Sequence, residues 1–356
     1  MFIRRSASAL ALLLALLLSA CGASVPATTQ APTTALTAVP AAPATAAPAT
    51  AAPAEASPTA APTEALAAPT AAQRSSAAGV TITDVAGRTI TIAATPEHLI
   101  SLAPSTTEIL FALGLAPKTV AVDDFSDYPA EAKSLPKIGG LNAAYNFEQI
   151  VALKPDLIFA AGITAPEAIK KLEELKLNVV VVGAEKTSFD SVFADIALVG
   201  QATGQVAQAT QLTTTLQDQL AALKAKLANA KEKPLVYWEL DATDPAKPYS
   251  VGPGNFVGDM IALAGGTNVF AQAESPFPQV SAEQVVAANP DLIILSDAAY
   301  GITVASVLKR PGWQVIAAVK QQRVAPIDDN LVSRPGPRLV AGLEATARII
   351  HPELFQ

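Results

Sequence analysis

Apolar and polar residues alternate over Val80-Thr81-Ile82-Thr83 and again over Arg88-Thr89-Ile90-Thr91-Ile92, on either side of Asp84-Val85-Ala86-Gly87. A period of two, interrupted by turn formers, predicts a β-hairpin. From His98 onward the pattern changes. Short, mainly apolar runs (Leu99–Leu102, Leu157–Ala160, Val179–Val182) alternate with amphipathic stretches such as Ser105–Leu113 and Pro166–Leu175. Buried strands alternating with helices predict an α/β fold with mostly parallel sheets.

One segment occurs twice. Glu148-Gln149-Ile150-Val151-Ala152-Leu153-Lys154-Pro155-Asp156-Leu157-Ile158 aligns without a gap to Glu283-Gln284-Val285-Val286-Ala287-Ala288-Asn289-Pro290-Asp291-Leu292-Ile293. Each copy reads as a short helix stopped by Pro-Asp and followed by a buried strand. A weaker echo relates Pro104–Leu110 to Pro253-Gly254-Asn255 and the helix running to Leu263. Solenoid repeats are shorter than the distance between the copies, so the duplication predicts two lobes of one design. Between them, Gln205 to Ala230 contains no proline or glycine, and leucines recur at 212, 216, 220, 223 and 227. That stripe predicts one long helix of about 35–40 Å. The expected organisation is a signal segment over 1–20, a disordered tether over 21–78, an N-terminal lobe over 79–202, a linking helix over 203–232 and a C-terminal lobe over 233–356. The lobes are expected to be Rossmann-like, joined by the single helix and preceded by the hairpin.

The first residues change the picture of where the protein works. Arg4 and Arg5 precede an apolar run from Ala9 to Leu18, and Ser19 and Ala20 lead into Cys21. This is the layout of a secretory signal, with an apolar run too short to span a bilayer comfortably. Leu18-Ser19-Ala20-Cys21 resembles the lipobox of bacterial lipoproteins, which implies cleavage before Cys21 and a diacylglycerol on its sulfur. The plainer reading is an ordinary cleaved signal followed by a free thiol. Residues 22–78 are nearly all Ala, Pro and Thr. Such a composition buries too little side-chain area to offset chain entropy and predicts an extended spacer. Extracytoplasmic attachment to a membrane follows.

Composition mainly excludes. With 24 Lys and Arg against 31 Asp and Glu the net charge is −7, and no basic stretch exists to grip nucleic acid. Cys21 is the only cysteine, and His98 and His351 are the only histidines. A site holding bare zinc or manganese through several imidazoles or thiolates cannot be assembled from them. Neither histidine lies near a strand-to-helix nucleophile elbow, and no phosphate loop is present, so an enzyme is not expected. A secreted hydrolase remains the rival class. Trp238 and Trp313 read as structural, and His98 as a strand-edge residue.

The stretches Ile100–Glu108, Asp123–Pro129, Phe147–Asp156, Val251-Gly252-Pro253-Gly254, Phe277–Ser281 and Arg334-Pro335-Gly336-Pro337-Arg338 are together similar to the helix-linked class of ABC-importer binding proteins. That class captures cobalamin, iron–siderophores or haem. The resemblance implies two lobes with ligand held between them, only modest closure, and a monomer that delivers its solute to a permease dimer with ATPase subunits. It implies no resident cofactor. The cargo would be a small metal chelate, either a corrinoid or a ferric siderophore, with haem as the alternative.

By motif position the candidate ligand-binding residues are Pro104, Ser105, Phe125, Tyr128, Tyr145, Tyr249, Phe256, Phe277, Asp297, Tyr300, Arg334 and Arg338. Aromatic faces suit a planar ligand, and arginines suit a peripheral carboxylate or phosphate. The alternative for the arginines is packing around the adjacent prolines, and for Tyr145 and Tyr300 plain loop surface. Phe277 stands where cobalamin-binding relatives often carry tryptophan. Glu148 and Glu283, equivalent in the repeat, are implied to face arginines on the two permease subunits. Otherwise they simply complement their helix dipoles.

Overall fold

The computed structural model describes residues 79–140, 145–183 and 186–356. The signal segment, Cys21 and the tether lie outside the described residues.

The hairpin forms as expected from β1 (Val80–Thr83) and β2 (Thr89–Ile92), paired antiparallel with Val80 opposite Ile92. Its turn is tied down by Asp84, which is 5 % exposed. That carboxylate accepts from the backbone N–H groups of Ala86, Arg88 and Val181 at 2.9–3.1 Å and from the Arg88 guanidinium. A buried carboxylate needs this many donors, and here they fix the hairpin to the edge of the neighbouring sheet.

Two separate sheets follow. The first contains β3 (Leu99–Ser101), β4 (Thr119–Val122), β5 (Leu157–Ala161) and β6 (Val179–Val182), all parallel, in the order β4-β3-β5-β6. The second contains β7 (Leu235–Asp241), β8 (Tyr249–Ser250), β9 (Thr267–Asn268), β10 (Leu292–Leu295) and β11 (Val324–Pro326). Here β9 and β10 flank β7 in parallel and β11 lies beyond β10, while β8 pairs antiparallel with the later part of β7. The parallel part, β9-β7-β10-β11, repeats the order of the first sheet strand for strand.

The sequence duplication has a backbone counterpart. Helix Phe147–Ala152 is capped by the Asn146 side chain, and helix Ala282–Ala288 by a reciprocal Ser281/Gln284 box. Both copies turn off the helix through a left-handed residue at the matched position, Lys154 (φ 48°) and Asn289 (φ 44°). The aspartate of each Pro-Asp then stitches the start of the central strand. Asp156 Oδ2 accepts from the N–H groups of Glu97 and His98 at 2.8 Å, and Asp291 Oδ2 from that of Leu235 at 2.9 Å. Pro-Asp therefore does more than stop a helix. It sets the register between the two strands of each lobe.

The linking helix spans Val206–Leu227, shorter at both ends than the expected 203–232. Gly204, at φ 73°, ends the preceding helix Phe189–Thr203, which packs against the linking helix. A methyl at Gly200 would stand 2.4 Å from Ala209 Cβ, so the two helix backbones are in close contact there. Leu216, Leu220, Leu223 and Leu227 are buried and Leu212 is half-buried, as the stripe predicts. These leucines belong to one apolar cluster with Leu99 and Phe159 of the first sheet, Trp238 and Ile294 of the second, and helix Leu339–Ile350. The lobes have separate sheets and a shared helical core. Among the described residues no helix is long and apolar enough to cross a membrane.

Candidate functional site

In the first lobe a network of buried hydroxyls joins the loops that follow β3 and β4. Ser101 Oγ lies 2.5 Å from Thr106 Oγ1 and accepts from Thr107 Oγ1 at 2.7 Å. Thr107 Oγ1 meets Ser126 Oγ at 2.7 Å, and Ser126 donates to Asp123 Oδ2. Asp123 Oδ1 accepts from the Phe125 N–H at 2.9 Å. Burial pushes the Asp123 carboxyl up, opposed by the Ser126 bond. The Ser-Leu-Ala-Pro-Ser-Thr-Thr and Asp-Asp-Phe-Ser-Asp-Tyr-Pro stretches are thus one unit whose polar groups satisfy each other and hold Phe125 and Tyr128 at the rim.

Loops of the second lobe reach this rim. Arg338 donates to both oxygens of Glu108, from Nε at 2.9 Å and Nη2 at 2.6 Å, and its guanidinium lies 3.8 Å over the Tyr128 ring. Arg334 donates to Asp127 at 2.6 Å and to the Phe125 carbonyl at 3.3 Å. The Glu108 side chain is 2 % exposed and needs its arginines: Arg338 binds it directly and Arg334 Nη1 lies 3.7 Å from Oε1. The Glu108 bonds hold the Arg338 guanidinium above its ordinary value, against the opposing pull of burial. Arg334 and Arg338, expected to face a ligand anion or to pack around the adjacent prolines, close an ion-paired clamp between the lobes at the C-terminal ends of their strands.

Every large aromatic exposed among the described residues is one of the expected site residues: Phe125 (47 %), Tyr128 (45 %), Tyr249 (42 %), Phe277 (60 %) and Tyr300 (81 %). Phe125 and Tyr128 follow β4, and Tyr300 follows β10. Tyr249 lies in β8 opposite Asp241 at the end of β7, and Phe277 sits beside it, where the Pro278 carbonyl accepts from Ser250 N–H. Pro104 opens helix Pro104–Ala112 and is half-buried, while Ser105 is buried below it. Tyr145 is half-buried, donating to the Leu102 carbonyl at 3.1 Å.

Two expected residues are positioned for other work. Phe256 packs on Phe189 with ring centroids 5.8 Å apart, inside the core shared by the lobes. Asp297, 2 % exposed, turns inward at the end of β10. One oxygen accepts from Ala242 N–H at 3.0 Å, and Oδ1 has no protein partner. Burial first, and then the neighbouring Glu239 charge, pushes its carboxyl up to about 6. Glu239 is bound by Arg310 at 2.5 and 2.8 Å and by the Tyr237 hydroxyl at 3.1 Å, beneath Trp313. Asp297 belongs with this buried polar cluster.

Beside the clamp a cavity of about 650 Å³ opens at the ends of β5 and β6. Its lining includes Ser105, Ile163, Thr164, Gly183 and the hairpin turn on one side, and Ser333 and Pro335 on the other. Of the expected residues only Ser105 lines it. Ile163, 68 % exposed, carries a sequence signal in retrospect: Gly162-Ile163-Thr164 is a loop placing a large aliphatic directly after a buried strand.

Glu148 and Glu283 are exposed in the first turns of their two equivalent helices. The Glu283 carboxyl is held below its usual value by its own N–H and by Ser281. His98 is exposed at the start of β3, the opposite end of the sheet from the clamp. His351 is buried against Gly265 and Glu353 at the end of the last long helix.

Among known proteins, the chain is 35 % identical over 291 residues to the uncharacterized ABC transporter substrate-binding lipoprotein YvrC of Bacillus subtilis, covering 80 % of this chain and 90 % of that one. It is 31 % identical over 251 residues to the vitamin B12-binding protein of Vibrio cholerae, 70 % of this chain and 87 % of the relative. The structure of the periplasmic heme-binding protein RhuT from Roseiflexus matches with a TM-score of 0.65 at 29 % identity, covering 72 % of this chain and 99 % of that chain. Residues 99–331 match the family model of periplasmic binding proteins, with the two-lobed fold and motif order described above, and the chain belongs to that family.

Proposed function

We propose that this protein is the extracytoplasmic capture component of an ABC importer and that its cargo is a corrinoid. The exposed aromatic rim carries this reading. Phe125 and Tyr128 beside the interlobe clamp, and Tyr249, Phe277 and Tyr300 on loops and the short strand at the ends of the second lobe's strands, keep large apolar faces in water. Such faces suit a flat, bulky molecule and favour its stacking. The charge balance selects among chelates: Arg334 and Arg338 are matched by Asp127 and Glu108, which leaves no surplus positive charge from the clamp for a polyanionic ferric siderophore. The vitamin B12-binding relative supports the same choice.

Haem is the second reading. It rests on the heme-binding structural neighbour and on the exposed phenols of Tyr128, Tyr249 and Tyr300, since a tyrosine can serve as an axial iron ligand. Titration of the purified protein with cyanocobalamin, haemin and a ferric hydroxamate, followed by absorbance and calorimetry, separates the readings. Saturable one-to-one binding of cyanocobalamin is expected. A Soret shift with haemin and no cyanocobalamin binding would move the assignment to haem.

Export and lipid attachment at Cys21, with residues 22–78 as spacer, place the capture domain outside the cytoplasm and within reach of its permease. Intact-mass analysis of membrane-extracted protein should show a diacylglyceryl adduct at Cys21. Delivery uses Glu148 and Glu283, matched carboxylates suited to a two-fold symmetric partner, whose pairing would set register and association rate. Reversing both charges should abolish uptake with solute affinity unchanged. Undiminished uptake by that double variant would refute the docking role.

A further inference from the structure

We propose that the turn of the N-terminal hairpin walls an apolar side pocket of the cleft, which accepts an uncharged hydrophobic substituent of the bound molecule. The inference rests on the cleft being the solute site. It adds a subsite one wall of which, Val85, Ala86 and Arg88, lies ahead of the family-matched segment.

The wall is fixed rather than draped. Asp84 locks the turn from within, Val85 N–H donates to the Val181 carbonyl at 3.3 Å, and Arg88 reaches the Val179 carbonyl at 3.2 Å and Glu173 at 2.6 Å. The same bonds neutralise the turn. Arg88 is held between two carboxylates, so the only charged group of the turn that lines the cavity offers no free charge to a ligand.

The opposite wall is built to display one side chain. Thr164 N–H donates to the Ala161 carbonyl at 2.8 Å, and Ala161 N–H donates to the Thr164 hydroxyl at 3.2 Å. This closed turn projects Ile163 outward. The floor is bare backbone, because a methyl at Gly162 would stand 2.6 Å from the Gly183 carbonyl oxygen. Val85 (42 % exposed) and Ile163 (68 %) are thus held in water on two rigid supports that flank one cavity. Ser105 and Pro335 bring that cavity up to the clamp, where Gly336 lies against Ser105 and Glu108. A volume of about 650 Å³ admits a fused-ring or branched alkyl group. A cationic arm entering it would lose water and meet no free counter-charge, since Glu173 is held by Arg88 and Lys170 is of like sign, whereas an apolar group meets Val85, Ile163 and Ile169.

The uncharged dye N-phenylnaphthylamine, fluorescent when it leaves water, tests this on the full chain. Ile163→Asp and Val85→Asp each place a carboxylate in the pocket at an exposed position, with circular dichroism confirming the fold. Val151→Asp, on an exposed helix elsewhere, is the control. Dye affinity is expected to fall at least about tenfold in the first two variants and to stay unchanged in the control. Equal loss in all three, or none in Ile163→Asp and Val85→Asp, would overturn the proposal. Cyanocobalamin should displace the dye from the wild-type protein, whereas simultaneous binding of both would place the pocket outside the solute site and overturn it as well. If cyanocobalamin does not bind at all, the corrinoid reading fails. Haemin then takes its place as competitor, and the pocket stands or falls on the same displacement.

Discussion

Glu108 shows how a single residue can be visible in a sequence while its purpose is not. A carboxylate inside Thr-Thr-Glu-Ile-Leu-Phe has to find a cation or remain exposed, and the partner, Arg338, lies in the other lobe. The arginines could be marked as functional from their motif, but the pairing itself depends on how the lobes meet, which no local pattern encodes. The same holds for Asp297, whose place after a buried strand suggests a cleft residue until Glu239 and Arg310 are seen beneath it. Arg338→Met keeps much of the side-chain length and leaves buried Glu108 with no hydrogen-bonded cation, only the longer contact to Arg334 at 3.7 Å. Stability to urea should fall by roughly 3 kcal/mol. Adding Glu108→Gln removes the orphaned charge and should restore more than half of the loss, which a double-mutant cycle measures. Simple addition of the two single losses would show that the pair is not coupled and that the clamp contributes little.

At the scale of elements the sequence was easier to read. The alternating hairpin, the leucine stripe and the duplicated Glu-Gln segment each announced an element of the right type, because periodicity and turn chemistry are local. Extents were less legible. The linking helix stops short at Val206 because Gly204 turns left-handed and the helix before it needs room to pack, a tertiary requirement. The repeat offers a sharper test of element-level physics. Lys154 and Asn289 terminate equivalent helices in the same left-handed conformation, but only asparagine tolerates it well. Lys154→Gly should therefore stabilise the protein by roughly 0.5–1 kcal/mol, the relief of strain exceeding the added freedom of the unfolded chain. Asn289→Gly should give no gain, since it also removes the bond from Ala317 N–H to the Asn289 side chain at 2.9 Å. Chemical denaturation midpoints of the two variants decide the matter. Equal shifts would mean that backbone strain is not what distinguishes the copies.

For the whole molecule, the question is whether two lobes with separate sheets behave as one thermodynamic body. Duplicated design and a single connecting helix suggest two units that could melt independently. The packing argues otherwise. Leu216, Leu220, Leu223 and Leu227 sit in one cluster with residues from both sheets, so neither lobe can unfold without exposing the helical layer that covers the other. Across the cleft, the Arg334 and Arg338 pairs add a second attachment far along the chain from the first. Together these attachments restrict hinge motion between the lobes. Differential scanning calorimetry of the described domain within the full chain should give one endotherm, with calorimetric and van't Hoff enthalpies in agreement. Saturating cyanocobalamin should move that single peak upward intact, by about 2.7 kcal/mol of stability at a free concentration a hundred times the dissociation constant. Two endotherms, with only one responding to ligand, would mean that the shared core is too weak to couple the lobes. The cleft's geometry would then have to be set by the ligand rather than by the protein.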